Sequence, residues 1–123
     1  MGTLRNSVQL IGRPGSDPDI KVFGGEGRKM ARFSLATNDR RYNEKHELVE
    51  ETQWHNIVAW GATAEMVEKY VRKGKRIALD GHIQTRQYED KNDKTKKHYT
   101  DIVIDEFMII DWASTDEEQQ PME

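Results

Sequence analysis

The sequence predicts an all-β domain, a barrel of five strands with one short helix between the third and fourth, on the strength of three observations. Five segments read as strands, most clearly where apolar and polar residues alternate with the period of two that a half-buried strand requires. One segment, Ala62 to Lys73, carries the helical period instead. Clusters of Gly, Pro, Asn and Asp separate the segments, as turns demand.

The first strand is Asn6 to Ile11, with Val8 and Leu10 on one side. The following GRPGSDPDIKVFGGEGRK holds the turn residues Pro14, Gly15, Pro18, Gly24 and Gly25 around a short possible extra strand, Ile20 to Phe23. No Lys-Ser or Lys-Thr follows these glycines, so the segment reads as hairpin turns and not as a phosphate-cradling P-loop. The second strand, Met30 to Asn38, puts Ala31, Phe33 and Leu35 inward and Arg32, Ser34 and Asn38 outward. The third is Thr52 to Trp60. In the helix, Met66, Val67, Tyr70 and Val71 fall at helical spacing, Glu65–Lys69 and Glu68–Arg72 form i,i+4 pairs, and Gly74 is the stop. The fourth strand runs from Lys75, with Ile77, Leu79, Gly81 and Ile83 on one face and Arg76, Asp80, His82, Gln84, Arg86 and Tyr88 on the other. After a polar hairpin tip over 89–97, His98 to Ile110 is the last strand, with Ile102 and Ile104 inward. Five strands with a helix in this place have the order of the OB-fold, a partly open barrel whose exposed face binds oligonucleotides or oligosaccharides.

Trp54 and Trp60 have the same parity in the third strand, so they share a face. Exposed, they form an aromatic platform on which bases of any sequence stack for roughly 1–3 kcal/mol each. Buried, they are core. Ile57 and Ala59 hold the opposite face, and pattern alone does not say which face is inside. The wet row of the fourth strand ends in Gln84, Arg86 and Tyr88, an amide, a cation and an aromatic within reach of one another, which suits a ligand with a phosphate backbone and bases.

Length and composition narrow the function. At 123 residues the chain is one domain, small enough to lean on partners or oligomerisation for extra stability. The net charge of −3 hides an asymmetry: all 19 Lys and Arg lie in residues 1–100 beside 14 acids, and the other eight acids lie in residues 101–123. There is no cysteine, which excludes disulfides and thiolate chemistry, and the N-terminus has no apolar run suited to a signal peptide, so a soluble cytoplasmic protein is expected. Catalysis is not expected. His46, His55, His82 and His98 lack the spacing of a metal site, no serine sits in a nucleophile elbow, and Glu44, Glu47, Glu50 and Glu51 read as a solvated loop. No cofactor or metal is expected.

NSVQLIGRPGSDPDIK, ARFSLATN, TQWHNIVAWG, AEMVEKYVRKGKRIALDGHIQTRQY and TDIVIDEFMII, in that order, closely resemble the bacterial single-stranded DNA-binding protein family. The resemblance covers roughly residues 4–112. It implies an OB-fold homotetramer around which single-stranded DNA wraps in replication, recombination and repair, with a nucleoid-associated place in the cytoplasm and no membrane partner. By position it implies stacking by Trp54, Trp60 and Tyr88, phosphate contacts by Arg72, Lys73, Arg76 and Arg86, and a subunit contact at His55. A further stacking aromatic of the family falls in the loop after the second strand, which here reads Asn38-Asp39-Arg40-Arg41-Tyr42, leaving the role to Arg40 or Tyr42. The family usually ends in a long linker and an acidic Pro-Phe tip. Here residues 113–123 make a short acidic tail without the aromatic, expected to be disordered and to recruit replication and repair proteins weakly, as in a specialised paralogue, such as one carried by a phage or mobile element, or in a lineage with a different partner code. The alternatives are a primosomal-type OB-fold dimer and a protein-interaction OB module with no DNA role.

Overall fold

The computed structural model describes residues 4–25, 27–89, 91–92 and 94–111. The alternating segments become β1 (Val8–Pro14), β2 (Asp19–Phe23), β3 (Arg28–Tyr42), β4 (Leu48–Trp60), β5 (Ile77–Glu89) and β6 (Lys96–Ile109), with α1 (Gly61–Tyr70) between β4 and β5. Neighbours run β1-β5-β6-β4-β3, and β1 returns to β3 through Arg13↔Ala36 and Pro14↔Leu35, which closes a five-stranded barrel. The possible extra strand is real: β2 pairs with β3 outside the barrel. β4 and β6 are parallel over Asn56–Val58, and the other pairings are antiparallel. With its helix between the third and fourth barrel strands, this is the OB-fold order.

Alternation decides the core. Ala31, Phe33 and Leu35 of β3, Ile57 and Ala59 of β4, Ile77 and Leu79 of β5, and Ile102 and Ile104 of β6 pack inside. α1 closes one end with Ala64 and Val67, continued by Val71 just past its C-terminus. Met66 and Tyr70, read from spacing as part of the same stripe, are 47% and 39% exposed. The helix is a turn shorter than expected, because Val71 is already extended. Nor does the Glu68–Arg72 pair form. Glu68 accepts from Lys29 Nζ at 2.7 Å, and Arg72 Nη1 instead donates to the carbonyls of Glu68 and Val71.

Strict alternation from Ile102 and Ile104 would send Glu106 and Met108 into the core. A β-bulge prevents it: Asp80 faces Glu106 while Gly81 faces Ile104, so Asp105 is the extra residue and Phe107 and Ile109 turn inward. Gly81 permits the bulge, since a Cβ there would lie 2.2 Å from the carbonyl oxygen of Val103. Gly12 does the same where the barrel closes, 2.2 Å from the oxygen of Ala36.

The segment expected as a loop after the second predicted strand is strand. β3 and β4 pair without interruption from Met30↔Trp60 to Tyr42↔Leu48. The carboxylates expected in a solvated loop are in part cross-strand partners: Arg40 meets Glu50 at 3.1 Å and Arg41 meets Glu51 at 3.0 Å. Opposite charges across the two strands, Arg40 and Arg41 on β3 against Glu50 and Glu51 on β4, let the hairpin extend beyond the core, where propensity alone favours a loop.

Candidate nucleic-acid interface

The outer faces of β3, β4, β6 and β5 lie side by side, and their register sets the rows. Arg32, Val58, Val103 and His82 form one row; Ser34, Asn56, Asp101 and Gln84 form the next; Tyr99 and Arg86 are paired beyond them. Because Ile57 and Ala59 are fully buried, Trp54 must point away from the core, and it is 62% exposed. Its indole lies over Gly15, where a Cβ would come within 2.7 Å of the ring. Gly15 N–H donates to Ser34 O, Gly74 N–H donates to Pro14 O, and Lys73 N–H donates to the Asp17 carboxylate. The loop beneath Trp54 is thereby tied to the loop that carries the exposed Lys73.

Trp60 is half-buried. Phe23 tilts against it at 5.9 Å between centroids, and the Arg28 guanidinium sits 4.5 Å over its ring. Six residues of strand, about 20 Å, separate the two tryptophans. Between them stand Asn56 and the buried Val58. They share a face without forming one continuous platform.

Across residues 5–110 the chain matches the model of the single-strand binding protein family. The chain belongs to that family. It is 42% identical to the single-stranded DNA-binding protein of Bacteroides thetaiotaomicron, over 85% of this chain and 65% of the relative. With single-stranded DNA-binding protein 1 of Chlorobaculum tepidum it shares 35% identity over 85% of this chain and 64% of the relative. The chain therefore spans just under two thirds of the length of these relatives. Among solved structures, the Plasmodium falciparum SSB in complex with ssDNA superposes with a TM-score of 0.78 at 35% identity, covering 90% of this chain and 98% of that one.

Against the family pattern, the basic residues divide. Arg86 lies on the same face as Trp54, its Nε donating to Asp101 Oδ2 at 2.6 Å. Lys73 is exposed, whereas Arg72 folds back onto the helix C-terminus, where the dipole favours a cation. Arg76 shares Asp111 with Arg13, at 3.5 and 2.8 Å. Burial alone would raise the Asp111 carboxyl pKa; the Arg76 N–H and the two guanidinium groups outweigh it and hold the group below the usual range. In the distal hairpin Arg40 is paired with Glu50, while Tyr42 is 70% exposed. Tyr88 pairs with Lys97 at the far end of β5; its side chain lies outside the described residues, as do residues 112–123 with the acidic tail. His55 faces away from Trp54, half-buried, with Nε2 2.9 Å from Thr37 Oγ1.

Sequence reasoning did not single out Tyr99, Asp101, Phe23 or Arg28 as site residues. Asp101 and Tyr99 lie one and three residues before the inward Ile102, so parity put them on the wet face. Nothing local in the sequence paired them with Arg86, 15 positions away.

Proposed function

We propose that this domain binds single-stranded DNA with little regard to sequence and shields it during replication, recombination and repair, without catalytic activity, in the nucleoid-associated cytoplasm. The observation that carries the reading is the exposed Trp54 on a face it shares with Arg86 and Tyr99. Stacking is sequence-tolerant because every base has a π-face. Phosphate contacts fall to exposed cations with no ion pair among the described residues: Lys73, and Lys91, Lys94 and Lys96 around the β5–β6 turn. Oligo-dT is expected to quench tryptophan fluorescence, and log K to fall with log salt by about 0.7 per phosphate neutralised. Absence of quenching would leave a protein-interaction module. A flat salt response would remove the phosphate contacts.

The assembly is a homotetramer with dihedral symmetry. Ile11 and Met108, 61% and 63% exposed, flank Ala78 across β1, β5 and β6, an apolar row that a subunit contact would cover. His55 lies at a subunit contact, so His55→Lys should weaken the oligomer by on the order of 3 kcal/mol through an unpaired buried charge. Light scattering checks both statements. A wild-type monomer at micromolar concentration sinks the first, and an unchanged oligomer in the variant sinks the second.

A further inference from the structure

Arg86 has its charge matched before any ligand arrives. Asp101, which accepts from its Nε, is 4% exposed, so water screens this pair far less than a surface pair. The guanidinium lies 5.6 Å from the centroid of the Tyr99 ring. Arg32, Asn56, Arg86, Gln87, Tyr99 and Asp101 line one recess of about 770 Å³, a size typical of small-ligand clefts. Two of these lining residues carry buried atoms, Asp101 Oδ1 and Arg32 Nε, that make no hydrogen bond among the described residues. One is an acceptor and the other a donor, and buried groups of either kind ordinarily have partners.

Resting on the single-stranded DNA reading above, we propose that this recess is a subsite for one nucleobase and that Arg86 reads the base edge there instead of holding a phosphate. The Arg86–Asp101 pair carries no net charge. A phosphate placed on the outer edge of the guanidinium would lie close to the Asp101 carboxylate, and the repulsion between the two anions would offset much of the attraction. A base is neutral and meets no such repulsion. Phosphate oxygens only accept hydrogen bonds and bring a second anion to the Asp101 carboxylate; a neutral base edge offers carbonyl and ring-nitrogen acceptors to the Arg86 donors without that charge. With Nε committed to Asp101, the four Nη hydrogens of Arg86 remain to donate in a fixed plane. Asp101 is thus a positioning residue for Arg86, and Tyr99 supplies the aromatic surface beside it.

The test is a salt titration of oligo-dT binding by wild type, Arg86→Gln and Asp101→Asn, each checked for folding by circular dichroism. In Arg86→Gln, affinity should fall about five- to tenfold at every salt concentration, with the slope of log K against log salt unchanged. Asp101→Asn should free the Arg86 charge for a phosphate, so its slope should steepen by about 0.7 per site and binding should tighten at low salt. A slope that drops by about 0.7 in Arg86→Gln, or stays flat in Asp101→Asn, would overturn the subsite. Should Arg86→Gln fail to fold because Asp101 is left buried and unpaired, the Arg86→Gln/Asp101→Asn double variant removes that charge and is judged against Asp101→Asn. It should lose the extra slope that Asp101→Asn gains; a double variant with the slope of Asp101→Asn would overturn the subsite. If wild type itself does not bind oligo-dT, the DNA reading falls and the subsite with it. If wild type binds and the slopes disobey, only the subsite falls.

Discussion

Trp54→Ala is expected to lower affinity for oligo-dT by about 5- to 150-fold, the equivalent of roughly 1–3 kcal/mol for one stacked base, while leaving the domain folded. The ring is 62% exposed and rests on a glycine, so truncation opens no cavity in the core. Trp60 is a less clean probe, because removing it also strips the packing of Phe23 and Arg28. The two effects separate experimentally: fluorescence anisotropy of a labelled oligonucleotide reads binding, and thermal unfolding reads stability. A Trp54→Ala protein that unfolds early and binds normally where folded would return the residue to a structural role.

Gly81→Ala should act in the opposite sense, on the fold and not on the face. An alanine Cβ would sit 2.2 Å from the backbone oxygen of Val103, and backbone in a paired strand has no flexible end to swing aside. β5 and β6 must separate at the bulge that turns Phe107 and Ile109 inward. Overpacking costs typically about 1–3 kcal/mol, and an overlap with fixed backbone belongs at the upper end of that range. Gly12→Ala should behave alike, since its Cβ would meet Ala36 O at the closure of the barrel. Gly25→Ala is the control: nothing lies within 4 Å of the added carbon, and stability should change by less than about 0.5 kcal/mol. Denaturant titration checks all three. A Gly81→Ala midpoint equal to that of Gly25→Ala would show that the strands yield there at little cost.

The strands and helix, their order and the inward residues of β3, β5 and the first half of β6 were legible in the sequence alone, because strand and helix periods are local properties of the chain. So was the possible extra strand at β2. The sequence also offered candidates for a nucleic-acid face, Trp54, Trp60 and Arg86 among them, by strand parity and by the family resemblance. Tertiary structure decided the rest, for reasons that cross long stretches of chain. The core position of Ile57 and Ala59 chose which face of β4 is wet and left Trp54 in water, a choice alternation could not make. A single bulged residue, Asp105, reversed the parity of β6, and only the space beside Gly81 made that possible. Above all, charge is a matter of neighbours. Arg13 meets Asp111 from 98 positions away, Arg86 meets Asp101 from 15, and Arg72 spends its donors on its own helix end. A count of basic residues treats these arginines as equal to Lys73. The fold decides which of them arrive at a ligand already neutralised, because a salt bridge forms between surfaces that only folding brings together.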